Sequence, residues 1–440
     1  MARLTAARGL ADVVRAQERG EAVGLPSVCS AHPLVLDAAI ASAAADGSAL
    51  LVESTCNQVN PDGGYTRQTP ADFAEVLRAR ARDAGLPADR LILGGDHLGP
   101  HPWRRLSAAE AMARARELVR QCVRAGYAKL HLDASMQLGD DPGAPSTPPS
   151  PEVVSARAAD LCAAAEEARS DAARGTPPPL YVIGTDVPPP GGETAEAEPP
   201  APTTAAELER TLDLARRAFA ARGLQDSWPR VVAVVVQPGV DFTSTRVFDY
   251  DRAKARALRD ALVRRGGLVF EAHSTDYQPE AALRALVEDR FAVLKVGPAL
   301  TFALRRAVLG LEAVEREWLG RRGAAALSGV RDALEAAMDA DPRHWRDHHG
   351  GDGENLRALR AFGYADRVRY YWPAPAVQAA VGRLFASLRA SPPPLPLLAQ
   401  HLPCEHDAVR SGEAEASPEG LVRHAVTRAL RPYASACGRT

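Results

Sequence analysis

The sequence lacks the signals of a membrane-spanning or disulfide-bridged protein. Its 440 residues contain no stretch near the roughly 18 uninterrupted apolar residues that a spanning helix needs. The six cysteines are scattered without a CxxC pair, which excludes a disulfide framework and a thiolate zinc site. The N-terminal segment has an amphipathic, charged pattern without the apolar core of a signal peptide. We therefore expect a soluble, cytoplasmic protein.

An excess of charge of one sign is also missing. The formal net charge is −2, with 53 basic and 55 acidic residues, which gives no electrostatic reason to expect nucleic acid or a membrane surface as partner. Lysine is rare: Lys129, Lys254 and Lys295 are the only three, and arginine carries nearly all of the positive charge. The apolar fraction of 46% and charged fraction of 25% are typical of globular proteins and exclude a wholly disordered chain.

Short apolar runs alternate with longer amphipathic segments along most of the chain. The runs are rich in Val, Ile and Leu without polar alternation, as expected for strands buried on both faces. Repeated strand–helix units predict parallel pairing with right-handed crossovers. The eight predicted strands are Leu25–Ser30, Ala49–Ser54, Leu91–Asp96, Ala128–Asp133, Leu180–Thr185, Arg230–Gln237, Gly267–His273 and Phe291–Gly297.

Polar residues at the ends of the predicted strands distinguish two α/β folds, a closed (β/α)8 barrel and a doubly wound open sheet. An open sheet would concentrate such residues at one switch point, whereas a barrel collects them in a ring at its C-terminal mouth. Nearly every predicted strand ends in polar residues. We therefore predict a TIM barrel over residues 1–306, with a helical C-terminal extension over residues 307–440 that packs on it.

Three polar segments are predicted as loops. Leu138–Pro151 and Val187–Thr204 are rich in Pro and Gly and follow the fourth and fifth predicted strands, where they would act as lids or as passive insertions. His344, His348 and His349 lie in a polar turn, for which a solvated loop is favoured over a metal site.

The strongest local signal is the run Gly-Gly-Asp-His-Leu-Gly-Pro that starts at Gly94. Adjacent Asp and His residues at a strand end cannot both point into a barrel in regular geometry, and the glycines allow a backbone turn that brings both to one site. An Asp beside a metal-bound His can act as a general base, and neutral imidazole is a good zinc ligand. We predict that Asp96 is catalytic and His97 a metal ligand; the alternative is a structural Asp that caps the next helix.

Glu271 and His273 are two residues apart on the seventh predicted strand, so their side chains share a face. Together with His97 they would bind one divalent metal and leave a position open for substrate. We expect zinc, with manganese or cobalt as alternatives, and a hydrogen-bonded Glu–His pair without metal as the competing interpretation. His131 and Asp133 have the same spacing; we assign His131 to the metal and Asp133 to catalysis, although spacing alone leaves these roles open.

The remaining candidates would bind substrate or move its protons. Glu53 ends the second predicted strand and is assigned to catalysis. Lys295 would bind a phosphate or hydroxyl group, form an ion pair, or, least favoured, form a Schiff base with a ketone. Ser274, Thr275 and Gly297 follow the last two strands, where barrels commonly hold phosphate. The substrate-binding candidates are Asn57, Gln58, Gln237, Ser274, Thr275, Lys295 and Gly297.

At these motifs the sequence resembles the Z-subunit family of class II D-tagatose-1,6-bisphosphate aldolase over nearly the whole chain. The resemblance implies a TIM barrel related to class II aldolases that act on ketohexose phosphates. Family members are described as non-catalytic partners of a catalytic Y subunit, and some relatives as C4 epimerases. The stretches that carry the resemblance are Gly24–Pro33, Asn57–Thr66, Leu93–Pro100, Lys129–Ser135, Val182–Glu193, Val234–Phe242, Phe270–Gln278, Leu294–Arg305 and Arg367–Pro373.

The resemblance implies two functional hypotheses. By analogy with catalytic class II aldolases, Asp96 would be the base and His97 and His273 zinc ligands, whereas Gln237 stands where those enzymes have another histidine. In the first hypothesis the chain is a metal-dependent isomerase that epimerises ketoses or ketose phosphates at C4 by retro-aldol and aldol steps. In the second it is a non-catalytic subunit that stabilises a separate aldolase. Homo-oligomers are left open, and no Walker A, GxGxxG or GxSxG motif is present.

Overall fold

Eight parallel strands form a closed barrel in the computed structural model, which describes residues 9–143, 147–170, 177–184, 198–322, 327–349 and 353–438. The strands are β1 Leu25–Val28, β2 Leu50–Thr55, β3 Leu91–Leu98, β4 Lys129–Leu132, β5 Leu180–Ile183, β6 Val231–Val235, β7 Asp241–Phe242, β8 Val247–Phe248, β9 Val269–Ala272 and β10 Phe291–Val296. The order around the barrel is β1-β10-β9-β6-β5-β4-β3-β2, and an antiparallel hairpin of β7 and β8 lies outside it. The predicted (β/α)8 barrel is confirmed.

Helices follow the barrel strands and continue to the C-terminal part of the chain. Thr69 and Thr204 begin two of them with capping boxes: the threonine side chain accepts the backbone N–H of the residue three positions later, and the acidic side chain of that residue accepts the backbone N–H of the threonine. None of the helices in the described part is both long and apolar enough to span a bilayer. The helices are α1 Leu10–Glu18, α2 Pro33–Asp46, α3 Pro70–Asp83, α4 Ala108–Arg124, α5 Pro151–Ser170, α6 Ala205–Ala221, α7 Arg256–Arg265, α8 Glu280–Glu288, α9 Pro298–Leu319, α10 Val330–Ala340, α11 Gly353–Phe362, α12 Pro375–Ala390, α13 Leu395–His401, α14 Pro403–Ser411 and α15 Pro418–Ala436.

The last helix belongs to the ring of helices around the barrel. α15 packs along α2, α8 and α9 and also touches β1. The hydroxyl group of Tyr433 on α15 donates a hydrogen bond to the carbonyl oxygen of Thr275, 2.6 Å away, in the loop after β9. The C-terminal part of the chain therefore supports the loops at the mouth of the barrel.

The N-terminal end of the barrel is closed by apolar side chains. Leu10, Val13 and Val14 on α1 join a buried cluster with the inward-facing residues of the strands, among them Leu51 and Val293. Burying each side chain of this size stabilises the fold by about 1.5–3 kcal/mol. Because this end is sealed and apolar, the polar side chains lie at the opposite, C-terminal mouth.

Candidate metal centre and active site

The C-terminal ends of the strands carry a buried cluster of charged side chains and imidazoles, each at most 4% exposed. The cluster has four carboxylates but only two ammonium groups, so with neutral histidines it carries two excess negative charges. Buried charge is costly unless it is compensated by a partner or a metal ion. The members are Glu53, Asp96, His97, Lys129, His131, Asp133, Glu271, His273 and Lys295.

A bulge in β3 brings the side chains of Asp96 and His97 to this one site. The register with β4 shifts between Gly95 and Leu98, and His97 adopts φ +48°. A left-handed conformation at a residue other than glycine costs on the order of 1–3 kcal/mol and is often found at functional sites. His97 itself therefore makes the turn that the sequence analysis assigned to the neighbouring glycines.

The glycines of this segment provide space instead. A Cβ atom on Gly94 would lie 2.7 Å from Cγ of Glu53, and one on Gly99 would lie 1.6 Å from the carbonyl oxygen of Asp133. Both contacts are closer than real Cβ atoms tolerate. Glycine is thus required where β3 approaches Glu53 and Asp133.

Lys129 is the cation at the base of the cluster, and the sequence analysis assigned it no role. Its ammonium nitrogen lies 2.8 and 2.7 Å from the two carboxylate oxygens of Glu53 and 2.7 Å from Oε2 of Glu271. Ser27 donates a further hydrogen bond to Oε1 of Glu53 at 2.6 Å. Lys129 and His131 are two residues apart on β4 and point to the same side, so the period of a strand could have indicated Lys129.

Lys295 is the second buried cation. Its Nζ atom lies 2.8 Å from Glu53 Oε2, 2.9 Å from Asp96 Oδ1 and 3.7 Å from Glu271 Oε1. Burial lowers the pKa of Lys295, but the surrounding carboxylates outweigh it and raise the pKa well above its ordinary value. A lysine kept charged in this way is a poor nucleophile, which argues against the Schiff-base alternative.

Four members of the cluster could hold a metal ion. Asp96, His131, Glu271 and His273 each offer a donor atom, and these atoms all lie within 4.8 Å of one another. Burial lowers the pKa of His273 to about 3, so its imidazole is neutral and able to bind a metal. Nε2 of His131 is buried without a hydrogen-bond partner among the residues that the structure describes. This nitrogen, the mixed N/O donor set and the excess negative charge all fit a divalent cation.

His97 lies beside this donor set and is oriented by Asp133. Nδ1 of His97 is 2.8 Å from Asp133 Oδ2, and Asp133 Oδ1 accepts hydrogen bonds from N and Oγ of Ser135 at 2.9 and 2.6 Å. Nε2 of His97 lies 3.7 Å from Asp96 Oδ2. Burial lowers the pKa of His97, but Asp96 and Asp133 outweigh it, so the pKa lies above its ordinary value. A carboxylate that orients an imidazole is an arrangement suited to proton transfer.

A pocket at the mouth of the barrel opens onto the cluster. Asp96, His97 and His273 form one side of it. Five of the seven predicted substrate-binding residues also line it, and they are Asn57, Gln58, Ser274, Lys295 and Gly297.

The other two predicted substrate-binding residues do not line this pocket. Thr275 is fully buried, and its hydroxyl group donates to the carbonyl oxygen of Lys295 at 2.6 Å. The side-chain oxygen of Gln237 accepts backbone N–H bonds from Gly239 and Val240 at 2.8 and 3.0 Å. These contacts are with backbone groups, and the assignment of both residues to substrate binding stays a prediction.

Comparison with known proteins identifies the family. Residues 10–438 match the family described as D-tagatose-1,6-bisphosphate aldolase subunit GatZ/KbaZ-like. The chain belongs to this family. A crystal structure from Sinorhizobium meliloti 1021, described as a probable tagatose 6 phosphate kinase, is 42% identical, with 94% of this chain and 100% of that chain covered and a TM-score of 0.84. The resemblance stated from the motifs is thereby confirmed.

Two solved aldolase structures are much less similar to this GatZ/KbaZ-like chain. A putative fructose-1,6-biphosphate aldolase from Coccidioides immitis is 15% identical, covering 88% of this chain and 98% of that chain, with a TM-score of 0.40. Fructose-bisphosphate aldolase from Campylobacter jejuni is 11% identical, covering 91% and 95%, with a TM-score of 0.41. The barrel assignment therefore depends on the strand pairing described above and on the Sinorhizobium structure.

The C-terminal part of the GatZ/KbaZ-like chain also contributes to the pocket, which the sequence analysis did not foresee. Arg369 and Tyr370 line it, and Arg369 Nη2 lies 3.1 Å from the Tyr370 hydroxyl oxygen. The ring of His344 stacks on Tyr370 at 4.5 Å, and His349 is only 5% exposed, so predicting a solvated loop here was wrong. Arg369 and Tyr370 lie more than seventy positions after the last barrel strand, so no local sequence pattern indicates that they line the pocket.

Parts of the two predicted lid loops lie outside the described residues. The structure describes residues 138–143 and 147–151 of the first and 198–204 of the second. Thr185, predicted as the last residue of the fifth strand, also lies outside the described residues.

Proposed function

We propose that this GatZ/KbaZ-like chain is itself a metal-dependent enzyme that acts on a ketohexose or ketohexose phosphate of the tagatose and fructose type. The reaction would break the C3–C4 bond and re-form it on the other face of the aldehyde, which inverts C4. The observation that carries this proposal is the four-residue donor set beside the His97–Asp133 pair, at the base of an open pocket. A donor set next to an oriented acid–base group is what this chemistry needs.

Asp96, His131, Glu271 and His273 would hold the metal ion. When bound, a divalent ion supplies positive charge that stabilises negative charge developing on the ketose oxygens. Imidazole and carboxylate ligands suit zinc, with manganese and cobalt as alternatives. This assignment moves Asp96 from base to ligand and His97 from ligand to acid–base group, because the four donor atoms that lie within 4.8 Å of one another come from Asp96, His131, Glu271 and His273 and not from His97.

His97 and Lys295 perform the remaining chemistry. Nε2 of His97 would accept the proton of the C4 hydroxyl as the C3–C4 bond breaks and return it after the bond re-forms, while Asp133 holds the ring in place. Lys295 adds a fixed positive charge at the edge of the pocket. Glu53 contacts both buried lysines and so positions them, rather than touching the substrate.

The alternative is a non-catalytic subunit that stabilises and activates a separate class II aldolase, as the family's description as an aldolase subunit suggests. A purely supporting role gives no reason to bury four carboxylates with only two lysines in the barrel.

Product analysis of the purified chain separates these functions. The chain is stripped of metal and incubated with fructose, tagatose and their phosphates, with and without Zn²⁺, Mn²⁺ or Co²⁺. We expect C4 epimers or triose products only when metal is present, and none with His131→Ala. His406→Ala is the control, since this histidine lies on α14, outside the cluster. Absence of turnover with every metal, together with rescue of a separate aldolase subunit, would establish the alternative.

A further inference from the structure

The loops after β9 and β10 form the place where (β/α)8 barrels commonly bind phosphate, at the N-terminus of a following helix. In this chain the helix is α9, which begins at Pro298. Oδ1 of Asp276 accepts the backbone N–H groups of Gly297 at 3.0 Å and Ala299 at 2.7 Å. Asp276 is 2% exposed, so a carboxylate of the protein itself occupies this position.

The backbone donors at the start of α9 are all in use. Besides the two that bind Asp276, the N–H groups of Leu300 and Thr301 donate to the carbonyl oxygen of Gly297 at 3.0 and 3.3 Å, and proline has no N–H group. A phosphate at this position would find no free backbone donor. It would also meet the negative charge of Asp276 in a poorly solvated place, where like charges repel strongly.

The same carboxylate lies next to the proposed reaction site. Asp276 lines the pocket together with Ser274 and Gly297, and with Asp96 of the proposed metal site and His97 of the acid–base pair. A carboxylate and a serine hydroxyl suit the hydroxyl groups of a sugar, since one accepts and the other can also donate a hydrogen bond. Asp276 and Ser274 therefore form a part of the wall that suits the hydroxyl groups of a polyol, whereas Lys295 and Arg369, which line the same pocket, are cations that suit a single phosphate.

We propose that Asp276 is a specificity-determining residue that closes this phosphate position, so that the end of the ketose reaching the β9 and β10 loops carries a free hydroxyl group. The substrate class is then a ketose with at most one phosphate, at its other end. This inference depends on the proposed function for the identity of the substrate. The closure itself depends only on the contacts of Asp276.

The first test measures inorganic phosphate binding by calorimetry at pH 8, without substrate. Asp276→Ala frees the N–H groups of Gly297 and Ala299, and we expect it to bind one phosphate per chain more than the wild-type protein. Asp251→Ala is the control, because this side chain is about half exposed and lies in the loop before α7, which begins at Arg256. Equal stoichiometry and affinity in the wild type and Asp276→Ala would overturn the proposal.

The second test compares kcat/KM for a ketose, its 1-phosphate, its 6-phosphate and its 1,6-bisphosphate. We expect the wild-type chain to disfavour the bisphosphate, and Asp276→Asn to raise its relative kcat/KM about tenfold or more, which corresponds to about 1.4 kcal/mol. Asn keeps the oxygen that accepts both backbone bonds, so this variant also serves if Asp276→Ala does not fold. A wild-type preference for the bisphosphate would overturn the proposal. If no substrate turns over, the proposed function fails, while phosphate binding still decides the role of Asp276.

Discussion

Replacing Lys129 by Met removes the ammonium group that bridges Glu53 and Glu271 and leaves both carboxylates in the protein interior. Lys129 and both partners are fully buried, and its three N–O distances are 2.7–2.8 Å. Removing one partner of a buried ion pair costs about 3–5 kcal/mol. Here Glu271 is the carboxylate that loses its closest counter-ion, because Lys295 still lies 2.8 Å from Glu53 but 3.7 Å from Glu271. With about 2.1 cal/mol/K of unfolding entropy per residue, the 440 residues predict a fall in Tm of about 3–5 °C.

The matched control is Lys254→Met, another of the three lysines in the chain. Its side chain is 68% exposed and lies 3.8 Å from the carboxylate of Asp251, so we expect almost no change in Tm. Both variants are compared with the wild-type protein by thermal unfolding after metal removal. A Tm of Lys129→Met equal to that of Lys254→Met would refute the argument that the buried carboxylates need Lys129 as counter-ion.

Three further predictions address other parts of the site. His97→Asn should lower kcat by about 10²–10⁴-fold while the metal content per chain stays unchanged, since His97 moves a proton and does not bind the ion; loss of metal would contradict this role. Gly99→Ala should lower Tm, because the new Cβ would lie 1.6 Å from the carbonyl oxygen of Asp133; an unchanged melting curve would show that the loop moves freely. Burial raises the pKa of Asp276 from 3.8 to about 6, so protonation of this carboxyl group stabilises the folded state relative to the unfolded state. The wild type should therefore lose about 3 kcal/mol of stability relative to Asp276→Asn as the pH rises from about 3 to about 7, measured by urea unfolding, and an equal pH dependence of the two proteins would contradict the shift.

The barrel could be predicted from the sequence because each strand is an almost continuous apolar run that begins near the predicted residue. The prediction for the third strand ended at Asp96, whereas β3 continues to Leu98. The difference arises from the bulge at Asp96 and His97, which continues the strand beyond the glycines. The short hairpin of β7 and β8 was not predicted, since strands of two residues leave no periodic pattern.

The sequence predicts which residues belong to the polar cluster better than it predicts which of them contact one another. Strand ends and the period of two brought Glu271, His273, His131 and Asp133 to one site, and the structure places them there. The hydrogen-bond partner of each side chain depends on which strands are neighbours. Thr275 is an example of a partner that the sequence does not predict, because its hydroxyl group donates a hydrogen bond to the carbonyl oxygen of Lys295 on the adjacent strand.

Long-range contributions to the pocket could not be predicted from local patterns. Arg369 reaches the mouth from a short helical turn between α11 and α12, far along the chain from the strands. The period of two on β4 puts the side chain of Lys129 on the same side as that of His131, but it does not show that the charge lies between two glutamates. The contacts of Arg369 and Lys129 follow from tertiary packing and not from local sequence.

The most direct test of the central claim is the number of divalent ions bound per chain. The metal-free protein is dialysed to equilibrium against Zn²⁺, Mn²⁺ or Co²⁺, and bound metal is measured by elemental analysis for the wild type and for His131→Ala. We predict one ion per wild-type chain and almost none in the variant, because His131 is one of four ligands whose donor atoms lie within 4.8 Å of one another. A folded wild-type chain that binds none of these ions, or equal binding by the variant, would contradict the assignment of this cluster as a metal centre.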